Sequence, residues 1–366
     1  MYRCHHMVMA ALIAVGGLGL TSDGSVAWSA EPSGEAPSSF QSSNSNPVER
    51  VAPAPTPRWP RNWESPNGVT FRLRGRVDTD VISSAQSPAN EATFGDMGDV
   101  VGLRRARIGA EGKLGDDRRY IAEIDLASGF VVPRDVYLSF GNLQERGEFR
   151  AGHLREPFSF EGGTSARYFA FMERAPVNLL DPARNRGLGF FRENLGADAS
   201  LGLGVFHAGS DAGDFQGGDR STVGFTGRLT TAPHYEQNGK RLFHLGLALS
   251  ERVPERGIII INQQPLSPLL DLGDSSTTPF VPAIRIPASF QQLPNLQFAA
   301  TRGSLWTQAE WYGTLIDQTG GGLVFFRGCH LDCGYFITGE HRAYEATNGT
   351  LGDSRQSPVI ARPGFT

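Results

Sequence analysis

Beyond Leu20 the sequence has no apolar run long enough to cross a bilayer as a helix, and its mean hydropathy of -0.26 excludes a polytopic helical membrane protein. Long helical periodicity is absent as well. Cysteine is scarce, with Cys4, Cys329 and Cys333 alone, too few for a disulfide-built secreted scaffold. Lysine is scarcer still in proportion: of the 34 Lys and Arg residues all but Lys113 and Lys240 are arginine. There is no large charge excess either, since 38 acidic residues bring the net charge to -4, and a generic nucleic-acid binder is excluded. No Gly-x-Ser-x-Gly elbow appears, and Gly202 and Gly204 are not followed by the turn and helix of a nucleotide loop. His153 and Glu156 have a metal-like spacing, but on an extended strand leading into Pro157 they point to opposite sides. The remaining histidines are scattered, so neither catalysis, a cofactor nor a metal site is expected.

What is present points to short strands: 45 glycines and 10% aromatic residues. Low hydropathy does not exclude a membrane barrel, whose strands need only alternate residues to be apolar. Residues 1–27 have the form of a secretory signal, a short start ending at His6, an apolar stretch from Met7 to Leu20 and small residues after it. Ser25-Val26-Ala27 is the preferred cleavage triplet and Ala27-Trp28-Ser29 the next. Residues 28–68, rich in Pro, Ser, Asn and Glu, are expected to be a flexible leader without a core of their own.

From Val69 the chain alternates. Phe71, Leu73, Gly75, Val77, Thr79 and Val81 fall on one face of an extended strand, and Arg72, Arg74, Arg76, Asp78 and Asp80 on the other. Leu103 to Lys113 repeats this, with Ala106, Ile108 and Ala110 opposite Arg105, Arg107, Glu111 and Lys113. Tyr120, Ala122, Ile124 and Leu126 then oppose Arg119, Glu123 and Asp125, and Val136, Leu138 and Phe140 oppose Asp135, Tyr137 and Ser139. Further strands are expected at Glu148 to Leu154, Leu195 to Ala208, Ser221 to Thr231, Arg241 to Arg252, Asn295 to Thr301, Leu305 to Ile316 and Leu323 to Glu340, about eleven in all. Asn238-Gly239 and Arg302-Gly303-Ser304 are short hairpin connectors. Glu156 to Arg192 and Pro254 to Pro294 are expected to be long loops, the second of them external.

A soluble sandwich also alternates, but it would leave the row Arg72, Arg74 and Arg76 stacked in water without purpose, whereas in a pore the row faces the lumen. The clearer segments also reach the roughly nine to eleven residues that a tilted membrane strand needs. Tyr120, Tyr137, Phe140, Trp306, Trp311 and Tyr312 are placed to form an aromatic girdle. The expected fold is therefore all-β, an antiparallel transmembrane β-barrel over residues 69–366.

Four stretches carry a resemblance to a known family: Leu103-Arg104-Arg105-Ala106-Arg107-Ile108-Gly109-Ala110-Glu111-Gly112-Lys113-Leu114, Gly152-His153-Leu154-Arg155-Glu156-Pro157-Phe158-Ser159, Phe171-Met172-Glu173-Arg174-Ala175 and Ile337-Thr338-Gly339-Glu340-His341-Arg342-Ala343-Tyr344. They resemble, in family order, the phosphate-selective porin O and P family of bacterial outer membranes. The resemblance implies a barrel of the roughly 16-stranded porin type. It also implies a homotrimer in outer-membrane lipid that passes small inorganic anions, phosphate or polyphosphate-like, by passive diffusion. Arginine suits that task, because its fork of donors matches phosphate oxygens and stays charged. Arg72, Arg74, Arg76, Arg105, Arg107 and Lys113 are the candidate ladder, moderated by Asp78, Asp80 and Glu111. The stretch 156–192 is the candidate constriction loop, with Arg155 before it and Arg167, Arg174, Arg184 and Arg186 within it. Glu173 beside Arg174 is a possible wall ion pair.

If Leu323 to Glu340 is one strand, the α-carbons of Cys329 and Cys333 lie about 13 Å apart, beyond a disulfide. Either both thiols are free on one face, or the strand turns at His330 to Asp332. Ser357-Pro358 and Arg362-Pro363-Gly364 suit no final membrane strand, so the chain is expected to lack C-terminal strands of the family's barrel. A non-conducting or plugged barrel serving as a surface adhesin or binding protein is the competing expectation.

Overall fold

Alternation is realised as one antiparallel sheet. The computed structural model describes residues 62–352 apart from 97, 143–146, 194, 197, 209–221, 255–256 and 264–280, so the signal sequence, most of the leader and residues 353–366 lie outside the described residues. In chain order the elements are β1 (Asn62–Glu64), β2 (Thr70–Ser83), α1 (Pro88–Phe94), β3 (Asp99–Lys113), β4 (Arg118–Asp125), β5 (Val132–Asn142), β6 (Gly147–Arg155), α2 (Phe160–Gly163), β7 (Arg184–Arg192), β8 (Ser200–Ala208) and β9 (Thr222–Glu236). They continue with β10 (Arg241–Pro254), β11 (Ile258–Gln263), β12 (Val281–Arg302), β13 (Leu305–Gln318), β14 (Leu323–Tyr335), β15 (Tyr344–Glu345) and β16 (Thr350–Leu351). From β1 to β14 each strand pairs with its neighbour in sequence, except that β10 and β11 follow one another along the same flank of β12. The β1–β2 end and β14 are the two edges of the sheet and are not hydrogen-bonded to each other. The small β15–β16 pair stands apart.

Period two sorts the side chains as expected on β2. Leu73, Val77 and Val81 are 64%, 69% and 73% exposed, while Arg74, Arg76, Asp78 and Asp80 lie on the partly buried face. Apolar residues this open mark a lipid-facing surface. The same convex belt continues through Leu138, Phe149, Leu188, Val205, Phe225, Leu247 and Leu296.

Four expectations change. Arg184–Arg192 is a strand, so the loop after β6 ends at Ala183; Gly187 and Gly189 occupy every other position there and left only Leu188 and Phe190 as signal. Much of Pro254 to Pro294 is strand too, since prolines read as loop residues are accommodated where pairing is already irregular. The β12–β13 ladder skips Pro294 and shifts register near Ala288. The leader ends earlier than composition indicated, because Asn62–Glu64 pairs with β2 through a turn closed by Ser65 N–H to the Val69 carbonyl. Finally, β14 stops at Tyr335 without a turn at His330 to Asp332, and Cys329 and Cys333 are free and exposed.

The concave face is filled by the connection between β6 and β7. Phe158 and Phe160, 1% and 0% exposed, anchor two apolar clusters, one with Ala248, Leu293 and Tyr312, the other with Leu242, Ala299, Tyr344 and Leu351. This connection touches β2 near one edge, where Arg76 donates to the Ala166 carbonyl at 3.3 Å, and β13 near the other, where Phe160 N–H donates to Glu310 at 2.9 Å. The sheet is thus curled around it.

Candidate functional site

A cavity of 890 Å³ lies on the concave face between the strands and the inward loop. Arg72, Arg74, Arg105, Arg107, Arg155, Arg167 and Arg174 line it; Arg76 and Lys113 do not. Arg76 instead turns along its own strand to Asp78 at 2.6 Å. Lys113 is exposed at the end of β3, next to a short turn.

The strand arginines are paired. Arg74 contacts Glu111 at 2.5 Å and Glu123 at 3.1 Å, and Arg72 also binds Glu111. That reach across a strand needs Gly109, whose missing Cβ would meet the Ala122 carbonyl at 2.5 Å and Glu123 Cβ at 3.0 Å. Arg107 meets Asp125 at 2.8 Å and Glu123 at 3.5 Å; Arg105 meets Asp78 at 3.1 Å. Arg155 bonds Asp181 at 3.0 Å and Arg184 bonds Asp135 at 3.0 Å. The wall is a lattice of alternating sign.

Arg104 also lies on this face, and the expected two-residue alternation missed it. Register across β2 and β3 jumps from Asp78↔Arg105 to Thr79↔Leu103, a bulge that turns two consecutive arginines inward. Arg104 binds Asp80 and, at 2.5 Å, Glu173 of the loop. Glu173 is therefore paired with the wall rather than with its neighbour Arg174. Arg134, Arg150, Arg184 and Arg228 complete the lining, and none of them belongs to an alternating row of three such as Arg72, Arg74 and Arg76. Three residues expected in the girdle face inward: Trp306 and Tyr312 are buried, and Tyr137 lines the cavity.

The loop arginines differ from those of the wall. Arg174 donates to the carbonyls of Glu161, Gly162 and Thr164 at 3.3 to 3.4 Å and lies over the Phe169 ring, and burial pushes its guanidinium down to about 10. Burial likewise lifts the Glu161 carboxyl to about 7, with His330 opposing the shift. Arg167 is exposed, and among the described residues its guanidinium donates to the Gly75 carbonyl at 3.3 Å and has no acidic partner.

Below the loop, the segment after β14 enters the same concavity. Arg228 holds it by donating to the carbonyls of Asn348 and Gly349 at 2.7 and 2.6 Å, and Tyr344 Oη lies 2.8 Å from His244 Nδ1. Glu345, Thr347 and Asn348 border the cavity.

Residues 71–266 match the family described as phosphate-selective porin O and P. The chain belongs to this family. As a phosphate-selective porin O and P member, it is an outer-membrane β-barrel protein. It is also similar to an uncharacterised protein of Caulobacter vibrioides, 26% identical over 339 residues, and spans 87% of its own length but 64% of that relative's. Among solved structures it is similar to an anion-selective porin from Comamonas acidovorans, at 16% identity, 74% and 75% coverage of the two chains and a TM-score of 0.47. A loop-deletion form of OmpT from Vibrio cholerae is similar at 13% identity, 74% and 78% coverage and a TM-score of 0.46.

For this porin, the rows Arg72 to Arg76 and Arg105 to Arg107 and their moderation by Glu111 were legible from alternation; the bulge at Arg104 and the acids that pair with the rows from β4 were not.

Proposed function

We propose that this porin passes small inorganic anions, phosphate-like ones among them, by passive diffusion along its concave face, with the loop from Glu156 to Ala183 as the constriction. The supporting observation is Arg167, an exposed guanidinium on the cavity surface without an acidic partner among the described residues, beside a wall in which every arginine of the β2–β3 rows is ion-paired. An anion gains most from a cation that is not already compensated, and a partly compensated wall keeps it from binding too tightly to leave. The resemblance to the family supports a homotrimer, which crosslinking in outer-membrane vesicles tests.

The experiment is planar-bilayer conductance of the purified protein under a salt gradient. A reversal potential of anionic sign is expected, shifting toward the cationic side in R167E. A channel with cation preference refutes the reading. The segment held by Arg228 favours a second one, a barrel plugged from within that binds or adheres at the surface, and absence of any conductance is its expected result.

A further inference from the structure

Where the inward loop meets β13 and β14, acceptor groups outnumber the donors that face them. Glu161 of α2, Glu310 of β13 and Asp332 of β14 surround the His330 imidazole. Its Nε2 lies 3.8 Å from Glu161 Oε2 and 3.5 Å from Glu310 Oε2, and its Nδ1 3.2 Å from Asp332 Oδ2. The His330 side chain is 8% exposed, yet neither ring nitrogen makes a hydrogen bond of acceptable geometry. Gln308, 6% exposed, donates through Nε2 to Asp332 at 2.7 Å while its Oε1 is buried without a partner.

The carboxylates are not equivalent. Glu310 is saturated, accepting from the backbone N–H of Phe160 and Glu161 and from Ser159, Tyr312 and Asn295. Glu161 receives a single N–H, that of Ala175, shared between its oxygens at 3.2 Å. The nearest guanidiniums make their hydrogen bonds elsewhere, and of these Arg342 stays close enough for its charge to act on Glu161 and Asp332. Arg104 serves Asp80 and Glu173, Arg174 the loop carbonyls, and Arg342 the Tyr168 carbonyl at 2.6 Å with its plane 4.3 Å from the Trp306 ring. A void of 10 Å³, the size of one water molecule, adjoins the cluster; Glu161, Gln308, Asp332, Glu173 and Arg342 border it, and His330 does not. One ligand atom each from Glu161, His330 and Asp332 lie within 4.8 Å of one another.

We propose that Glu161, His330 and Asp332, with Gln308 Oε1 as a fourth donor, bind a divalent transition-metal cation of the Mn²⁺ or Zn²⁺ kind that fastens the inward loop to β13 and β14. Bonds of about 2.0 to 2.2 Å leave neighbouring ligand atoms about 3.3 to 3.5 Å apart, so the three atoms draw together around the ion from separations of up to 4.8 Å. One imidazole, two carboxylates and an amide oxygen suit such a cation better than Ca²⁺, which takes roughly six to eight oxygens. The ring nitrogen that does not bind the ion keeps its proton and donates to the carboxylate beside it, fixing the ring.

The test is titration of the purified, chelator-treated full chain in detergent with Mn²⁺, followed by electron paramagnetic resonance. One Mn²⁺ per chain should leave the aqueous signal and be displaced by Zn²⁺, and H330Q and D332N should each weaken binding at least about tenfold. No binding, or binding unchanged in both variants, overturns the proposal and assigns the void to water. Should the variants fail to fold, the wild-type protein decides: spin-echo modulation from a directly bound imidazole nitrogen supports the site, and its absence overturns it. The anion-pore reading is measured by conductance and stands or falls separately.

Discussion

Arg252 on β10 donates through Nη2 to both carboxylate oxygens of Glu156, each at 2.6 Å, with the two side chains almost wholly buried. Glu156 also accepts from Asn185 at 2.7 Å and Thr226 at 2.5 Å, so the first residue of the inward loop is tied to β7, β9 and β10 at once. Removing one partner strands a buried charge. E156A is expected to destabilise the folded barrel by about 3–5 kcal/mol, and the double variant E156L/R252M by less than either single change. Urea unfolding in lipid vesicles measures both; an E156A midpoint equal to wild type would show that water already solvates the pair.

The same residues show what the sequence carried. Period two placed Arg72, Arg74 and Arg76 on one face without any structural knowledge, because an extended strand offers only two faces. It also named Glu111 as moderating them, but it could not show that Glu123 answers Arg74 from β4, because that depends on strand pairing and on the open space at Gly109. Nor could it separate Arg167 from Arg174: both are loop arginines among aromatics, and only the fold spends Arg174 on three carbonyls. Strand β7 escaped notice because Gly187 and Gly189 occupy the middle of its inner face and carry no periodic signal.

Paired and unpaired arginines should respond differently to neutralisation. R107Q leaves Glu123 with Arg74 alone and Asp125 with Arg134 alone, and is expected to raise cation permeability and lower stability together. R167Q removes an exposed group with one backbone contact, so it should lower anion preference by about twofold or more with the unfolding midpoint unchanged. Reversal potentials and unfolding curves on the two variants check this. Equal selectivity loss without destabilisation in both would mean that the wall pairs do not persist in the conducting protein.

Cys329 and Cys333 lie on the convex face of the edge strand β14, opposite Trp311 and Thr307 of β13, with Cys333 Sγ 3.3 Å from Thr307 Oγ1. Four residue steps of extended strand separate them, too far for a disulfide. In lipid bilayers an apolar maleimide is therefore expected to label both, while a charged methanethiosulfonate does not. Mass spectrometry after mild oxidation should find no loss of two hydrogens. Labelling by the charged reagent alone would place this face in water instead of lipid or a protein contact.

The segment from Tyr344 to Leu351 is held to the wall beneath it at Tyr344, by His244 and Tyr235, and at its turn by Arg228. Arg228, buried on the inner face of β9, donates to two of its carbonyls and to Gln297 Oε1 at 2.9 Å, so the guanidinium fixes the turn's position over β9 and β12. Gly349 adopts φ +58 there, and a Cβ at that position would collide with Thr230 Oγ1. R228A removes the hook and leaves two carbonyls in the concavity for water to solvate, whereas G349V pushes the turn off the wall. Both are expected to free the segment by different physical routes, the first by loss of donors and the second by steric conflict. If the segment narrows the path, single-channel conductance rises in both variants and limited proteolysis cuts between Tyr344 and Leu351. Unchanged conductance with new cleavage would show that the segment moves without obstructing anything, and would leave the inward loop as the narrowest point.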